Sequence, residues 1–446
     1  MRKLGIERNS AILWGATLVV AAFRVVVPVL RESSHGRYQW AEVLNTAYSL
    51  YRFDDWKDPF AALPTGPSAH VAPLFPLFIA GIYHLFGDGS AGSRALGLAE
   101  AAAIILQIAL LPMVSRALGA GSAVGFVAAL FAIVGAREMP ETEGNYTAVL
   151  LMLATLLACR YVRLLGSPDH ECFSSSGAGP MGSPLGVASL SGLLWGAILL
   201  TTPAAATVWV AWLALAAWQS RKAGWHQTWL PALLLPLLVI LPWTVRNYRV
   251  LGGFVPVRSN FGLELKISNN PCAAVTLNMP TNGTGCYQHP SVDATEARKV
   301  VQAGEIAYNR KLQGEALSWI RQNPRLAAVL WMQRAEIFWF PSQAPSFVRF
   351  SRQNWVWRWT AGLTTLVSIP GLLFLSRKNR AGTVLCAALL LTFPFTYYFV
   401  RADDRYRFPI MWVSFVLGAT GICSLAAAVY RRFGFAIPRS KVGKLW

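Results

Sequence analysis

Charged residues are scarce in this sequence. Of its 446 residues only 14% are Asp, Glu, Lys or Arg, while 54% are hydrophobic. So few charges cannot cover the surface of a soluble protein of this size. The mean hydropathy is positive, +0.41, and many apolar runs approach the roughly 20 residues that a helix needs to cross a bilayer. The composition excludes a soluble protein and predicts an all-α polytopic membrane protein.

Acidic residues are scarcer than basic ones, 21 against 40, which gives a net charge of +19. Nucleic-acid-binding proteins show such an excess, but here its position argues against a nucleic-acid partner. The basic residues flank apolar runs in tails or short turns, as cytoplasmic residues next to membrane spans do. These residues are Arg2, Lys3, Arg8, Arg116, Arg160, Arg163, Arg221, Lys222, Arg377, Lys378, Arg380, Arg431, Arg432, Arg439, Lys441 and Lys444. We therefore expect membrane lipids as partners, and no nucleic acid.

The apolar runs predict about ten membrane spans. Their approximate bounds are 11–30, 95–115, 122–136, 145–163, 186–200, 203–219, 228–244, 357–375, 381–399 and 408–429. The first run follows Met-Arg-Lys like a signal peptide, but it is long and has no clear small-residue cleavage site. We therefore expect it to be a retained helix.

Residues 71–86 are apolar but short, and they contain Pro73, Pro76 and His84. If they crossed the membrane, Arg116, Arg160 and Arg163 would lie outside, against the positive-inside rule. We predict an interfacial or re-entrant helix here, with both termini cytoplasmic. The outside then receives residues 31–94, 137–144, 201–202, 245–356 and 400–407.

Cysteines and metal-ligand patterns are also sparse. Of six cysteines, Cys272 and Cys286 share the large outside loop, and the sequence is compatible with a disulfide or with two free thiols. No cluster of His, Cys or carboxylates has ligand spacing, although Glu42 with a second-loop acid could hold a divalent ion. We predict no metal site and no cofactor, and leave metal dependence open. The lack of an internal repeat disfavours a transporter built from inverted halves.

The spans divide the chain into three parts. Residues 1–244 form a transmembrane module whose first outside loop is 31–94, residues 245–356 form an extracytoplasmic loop subdomain, and residues 357–446 form the last helices and a basic cytoplasmic tail. Asn, Gly and Pro predict irregular structure over 258–290. Asp293 and Glu296 predict a capped helix that ends before Asn323. A second helix is expected over 325–339, on the membrane surface.

Several segments resemble bacterial GT-C glycosyltransferases, in order and spacing over most of the chain. In the first outside loop these are EVLNTAYSL (42–50), DPF (58–60), TGPSA (65–69), PLFPL (73–77) and LFG (85–87). Further along they are PWTVRNY (242–248), VRSNFGLEL (257–265) and RYRFP (405–409). The sequence looks like an uncharacterised bacterial subgroup, related to the protein O-mannosyltransferase and aminoarabinose-transferase families.

The resemblance implies an inverting glycosyltransferase of the bacterial cytoplasmic membrane, with its active site facing the periplasm or outside. Such an enzyme moves a sugar, hexose or pentose, from a polyprenyl-phosphate carrier to an acceptor. The acceptor stays open between an envelope glycan, a lipid and a protein. The chemistry needs a carboxylate as general base and cations that stabilise the departing phosphate.

Glu42 is the predicted general base. Better-studied members of the group carry an Asp-Glu pair early in the first loop, whereas this chain has a single acid there, offset by about one helical turn. Asp55 in the same loop and Glu141 in the second outside loop are the alternative catalytic carboxylates. Which acid is the base stays open.

Arginines on the outside are the predicted ligands of the donor phosphate, because the positive-inside rule leaves them unexplained and a guanidinium can bind two phosphate oxygens. The candidates are Arg246, Arg405, Arg407 and Arg258, with His70 as a further hydrogen-bonding side chain.

Two other functions stay possible from the sequence. The chain could be a transporter or flippase for a lipid or small solute, which ionisable residues within spans such as Arg24 and Glu100 would favour. It could also be a non-catalytic scaffold for envelope assembly, which would fit if Glu42 proved dispensable.

Overall fold

The structure is a computed structural model, and it describes residues 8–31, 42–136, 142–166, 180–222, 228–273, 275, 289–341 and 352–432. The regular structure in these ranges is helical. Strand-like pairing within these ranges is limited to one bridge between Lys57 and Pro67. The helices are α1 Arg8–Arg31, α2 Glu42–Phe53, α3 Leu74–Phe86, α4 Ser90–Ala117, α5 Ser122–Gly135, α6 Gly144–Leu165, α7 Pro184–Thr201, α8 Ala206–Lys222, α9 Leu230–Leu251, α10 Phe261–Ser268, α11 Ala294–Ala303, α12 Glu305–Gln322, α13 Pro324–Trp339, α14 Arg352–Lys378, α15 Arg380–Thr392, α16 Phe395–Tyr398 and α17 Phe408–Arg432.

Eight helical segments in the described part are long and apolar enough to cross a membrane. They are α1, α4, α6, α7, α9, α14, the α15–α16 run and α17. This confirms the predicted class, a polytopic all-α membrane protein. The expected spans at 122–136 and 203–219 correspond to α5 and α8, which have only 14 and 17 residues. The total of ten spans stays a prediction.

The core of the membrane part forms around α17, which packs along α14 and against α5 and α6. Glycines bring α14 and α17 close together, since a Cβ on Gly371 would lie 1.9 Å from the carbonyl oxygen of Leu417. Small residues at such contacts let membrane helices gain van der Waals packing in a solvent that is itself apolar. Trp412 of α17 is 1% exposed within this core.

The first outside loop is built on the pair α2 and α3. Leu44 and Ala47, three residues apart on one face of α2, pack against Ile79 and Tyr83 of α3. This contact fixes the N-terminal turn of α2, where Glu42 lies. With 13 residues α3 is about 20 Å long, less than the ~30 Å of a bilayer core. That length favours the interfacial placement of residues 71–86, which stays a prediction.

The loop subdomain contains α10 to α13. The predicted helix at 325–339 is confirmed as α13, and Asp293 caps α11 by accepting from Thr295 N, as expected. The predicted single helix up to Asn323 is instead two helices, because the chain turns at Gly304, whose φ is +79°. Tyr308 and Leu312 are buried as expected on the α12 face.

One short helix was missed by the sequence analysis. Helix α10 lies inside the stretch predicted as irregular, and it packs closely on α12, since a Cβ on Gly262 would lie 1.9 Å from the carbonyl oxygen of Asn309. Phe60 of the first loop packs into the same small core, with Leu263 and Tyr308. The first loop and the loop subdomain therefore share a core.

Candidate functional site

Glu42 lies at the centre of a cluster formed by three distant segments of the chain. Its Oε2 is 3.1 Å from Nε2 of His70, and its Oε1 is 3.2 Å from Nε2 of His289. The Ser291 hydroxyl donates to Oε1 over 3.1 Å. The Glu42 side chain keeps 23% exposure, so part of it lies at the protein surface.

His70 is the most deeply buried member, with no exposed surface. Its ring packs edge-on against Phe60 at a centroid distance of 4.8 Å. The Nδ1 atom has no hydrogen-bond partner among the described residues. Burial and packing therefore fix the ring, with Nε2 beside the carboxylate of Glu42.

His289 lies just before α11 in a tight turn, where the N–H groups of Val292 and Asp293 donate to its carbonyl oxygen. Its Nδ1 accepts from the backbone N–H of Ser291 over 3.0 Å. A neutral imidazole has one donor and one acceptor nitrogen, so this bond places the proton on Nε2, the atom next to Glu42.

The cluster keeps Glu42 charged. Burial alone would raise the pKa of this carboxyl, but His70, His289 and Arg258 outweigh it and hold the pKa well below the usual range. Burial alone would lower the pKa of His70, yet Glu42 and Glu305 raise it overall. For His289 burial dominates and lowers the pKa, despite the nearby charges of Glu42 and Glu264. The cluster thus pairs one carboxylate with one histidine that favours its charged form and one that favours its neutral form.

Glu42, His70 and His289 also offer one possible metal-ligand atom each, all within 4.8 Å of one another. Two histidines and a carboxylate are the protein ligands of some catalytic zinc sites. The tautomer of His289 opposes this, because its Nε2 carries the proton while Nδ1 accepts from Ser291. The remaining two ligands are fewer than the three of a catalytic zinc site. The residues as placed do not form a complete metal site, and no reaction step is assigned to a metal.

Arg258 is the cation closest to the cluster by its contacts. Its Nε donates to the carbonyl oxygen of His70 over 3.0 Å, and its charge acts on both Glu42 and His70. Its two terminal amino groups have no hydrogen-bond partner among the described residues. Arg401 also acts on His289, and its Nε is likewise without a partner in the described part of the chain. Within the described part of the chain, Arg258 therefore keeps terminal N–H donors for a ligand, whereas the unpartnered Nε of Arg401 is buried.

The other predicted phosphate ligands are more engaged with the protein. Arg246 donates from Nη1 to Ser68 O and from Nη2 to Trp56 O. Arg407 is 1% exposed and donates to the carbonyl oxygen of Trp339. Arg405 is intermediate, since its side chain is 33% exposed and its Nε lies 3.8 Å from Asp403 Oδ1.

The remaining candidates lie elsewhere. The Asp55 side chain is 45% exposed and 4.0 Å from Lys57 Nζ. Glu141 lies outside the described residues. Glu100, the carboxylate that would favour a transporter, is fully buried in α4 and accepts from Asn145 Nδ2 over 2.5 Å. Cys272 is disulfide-bonded, and its partner lies outside the described residues.

The sequence analysis missed His289, Ser291 and Glu305. They are more than 200 positions from Glu42 and show no ligand spacing with it. The available indication was His289 itself, one of only six histidines and placed in the outside loop.

The fold resembles solved membrane enzymes. The archaeal oligosaccharyltransferase AglB from Archaeoglobus fulgidus, in complex with an inhibitory peptide and a dolichol-phosphate, matches with a TM-score of 0.57 and 14% identity, over 96% of this chain and 52% of that one. The complex of the same oligosaccharyltransferase with Zn and sulfate matches with a TM-score of 0.55 and 13% identity, over 95% and 50%. These matches show that the chain shares the fold of the aligned part of that oligosaccharyltransferase. This chain spans about half the length of the oligosaccharyltransferase.

A further structure, ArnT from Cupriavidus metallidurans bound to undecaprenyl phosphate, aligns over 94% of this chain and 78% of that one with 15% identity. Its TM-score of 0.34 is too low to support a shared fold. No family model and no curated protein matches the sequence. The kinship with the aminoarabinose-transferase and protein O-mannosyltransferase families therefore stays a prediction.

Proposed function

We propose that this chain is a glycosyltransferase that moves a sugar from a polyprenyl-phosphate carrier to an acceptor hydroxyl at the outer face of the cytoplasmic membrane. The observation that carries the proposal is the placement of Glu42. In a GT-C fold, the predicted first-loop base belongs to a partly exposed side chain whose carboxylate is surrounded by two imidazoles and a hydroxyl, next to Arg258.

Glu42 suits a late proton transfer. Its low pKa makes it a weak base towards a free alcohol, since general-base efficiency follows the base's pKa. Once the acceptor oxygen bonds to the anomeric carbon, that oxygen becomes strongly acidic, and a weak carboxylate base can remove its proton. The bond between the anomeric carbon and the phosphate oxygen breaks in the same displacement, and its electron pair leaves with the lipid phosphate. A single displacement of this kind inverts the anomeric configuration.

Arg258 and Arg401 are the proposed partners of the departing phosphate, with Arg405 as a third. The leaving group carries away negative charge, and preorganised guanidinium donors stabilise such charge as it develops. Arg258 supports this role best, because its Nε is already fixed on His70 while no described residue bonds its terminal amino groups, which can bind two oxygens.

The carrier class is supported by the comparison, since the AglB structure contains a dolichol-phosphate. The donor of this chain is therefore proposed to be a lipid with the same phosphate chemistry.

The test is a transfer assay with purified protein in nanodiscs and synthetic polyprenyl-phosphate donors that carry labelled hexoses or pentoses. We expect release of polyprenyl phosphate in step with the appearance of labelled product. Counterflow of solute across proteoliposomes without cleavage of the donor would support a transporter instead.

A further inference from the structure

The three residues Ser68, Ala69 and His70 have every backbone polar group hydrogen-bonded. Ser68 N donates to Trp56 O over 2.9 Å, and Ser68 O accepts from Arg246 over 2.8 Å. Ala69 N donates to Glu305 Oε1, and Ala69 O accepts from Ser259 N. His70 N donates to Ser68 Oγ, and His70 O accepts from Arg258 Nε. An irregular segment normally leaves several such groups to water. This one is held in a single conformation by the protein.

Glu305 binds this segment most extensively. It is the first residue of α12, more than 230 positions away in sequence, and it is only 6% exposed. Its Oε1 accepts from Ala69 N over 2.8 Å and from the Ser259 hydroxyl over 2.6 Å, while its Oε2 accepts from the Ser68 hydroxyl over 2.5 Å. A buried carboxylate is costly unless it is bonded in this way. The N-terminus of α12 adds a favourable dipole.

The contact reaches the backbone N–H of His70 through one intermediate atom, the Ser68 Oγ. Ser68 Oγ accepts from His70 N over 2.9 Å and donates to Glu305. The orientation of Ser68 therefore depends on the carboxylate, and the backbone of His70 depends on Ser68. The His70 ring follows its backbone, because burial and the contact with Phe60 leave it no room to compensate.

We propose that Glu305 is a positioning residue, which holds His70 against Glu42 by fixing the Ser68–His70 segment. The proposal rests on the proposed function for its effect on turnover, but its structural part stands without it. Positioning errors of about 1 Å far from the reacting atoms can cost about 100-fold in rate. Among the described residues the Glu305 side chain bonds Ser68, Ala69 and Ser259 and none of the proposed phosphate ligands, so the expected loss is in turnover and not in donor binding.

The experiment compares three variants of the full chain in detergent. Glu305→Gln keeps one acceptor oxygen and places an amide donor against Ser68 Oγ, while Ser259→Ala removes one of the three donors and keeps the carboxylate. Glu315→Gln is the matched control, because Glu315 lies on the same helix and pairs with Lys266 near the surface. Hydrogen exchange by mass spectrometry is measured on peptides covering residues 56–73, together with kcat and KM for the donor.

We expect Glu305→Gln to accelerate exchange of the Ala69 and His70 amides about tenfold or more, as loss of a charge-assisted hydrogen bond predicts. Its kcat should fall at least about tenfold with KM nearly unchanged. Ser259→Ala should show the same pattern more weakly, and Glu315→Gln should match the wild type. Wild-type exchange in Glu305→Gln would overturn the proposal, as would faster exchange with normal kcat. If Glu305→Gln exchanges faster but the wild-type protein itself transfers no sugar, the proposed function is contradicted and the positioning contact still stands.

Discussion

At the scale of the residue, the charge state of Glu42 and His70 links the site to stability. The two shifts run in opposite directions, because each group gains a partner of opposite charge. The lowered pKa of Glu42 stabilises the fold above its ordinary value of 4.5, and this contribution is lost as pH falls towards the folded pKa. The raised pKa of His70 stabilises the fold below its ordinary value of 6.5, and this contribution is lost as pH rises through the folded pKa. Both contributions are fully present only between about 4.5 and 6.5.

Glu42→Gln should therefore lower the unfolding temperature most within that window. The pKa of His289 is lowered overall, so this residue costs stability as pH falls below 6.5. The charge of Glu42 offsets part of that shift, because it raises the pKa of His289. The check is thermal unfolding of wild type and variant at about pH 5.5 and about pH 9. If the variant's unfolding temperature is lowered equally at both pH values, or more at pH 9, the ion pair between Glu42 and His70 is contradicted.

Arg258→Lys should weaken binding of the polyprenyl-phosphate donor by about 1.5–3 kcal/mol, because lysine keeps the charge but not two parallel donors. Arg407→Lys is the matched comparison, since that guanidinium is buried on protein oxygens and its loss should lower the unfolding temperature instead. Donor affinity is measured by isothermal titration in nanodiscs. Normal donor affinity in Arg258→Lys, with a loss in Arg246→Lys or Arg405→Lys, would contradict the role of Arg258 and assign the phosphate to one of the other two arginines.

Sequence reasoning selected Glu42 and His70 separately, Glu42 as a base and His70 as a possible phosphate ligand. The structure places them 3.1 Å apart. Their other partners were not predictable, because His289 and Glu305 approach only through the fold of the loop subdomain. No spacing along the chain records such a contact.

At the scale of the element, the close packing of α10 on α12 supports both Glu305 and the shared core with the first loop. A Cβ at Gly262 would overlap the Asn309 carbonyl, so Gly262→Ala should destabilise the protein by about 1–3 kcal/mol. Gly314→Ala on α12 is the control, since no atom lies within 4 Å of its Cβ position and alanine favours a helix by up to about 1 kcal/mol. Unfolding followed by tryptophan fluorescence distinguishes them, and equal stability of the two variants would refute the close contact.

The elements were predicted best where periodicity or capping was strong, as in α13 and the start of α11. The sequence did not show that Gly304 adopts a positive φ and separates α11 from α12. Helix α10 was hidden among Asn, Gly and Pro because it has only eight residues and is stabilised by tertiary packing.

At the scale of the whole molecule, the topology depends on whether α3 crosses the membrane. Helix α3 has 13 residues and is predicted to lie in the interface without crossing, so a reporter fused after Gly92, in the first turn of α4, should report the outside face. Paired phosphatase and fluorescent-protein fusions at this position measure it. A cytoplasmic result would contradict the interfacial placement of α3 and the predicted sides of the segments that follow it.

The measurement that tests the central claim most directly is sugar transfer by Glu42→Gln. Glutamine keeps the size of the side chain but cannot take up the proton, so turnover should fall by about 100-fold or more while donor binding stays near normal. Asp55→Asn, the exposed acid of the same loop, should transfer sugar at close to the wild-type rate. Near-normal transfer by Glu42→Gln, with loss of transfer in Asp55→Asn, would contradict the assignment of the reaction centre to Glu42, His70 and His289.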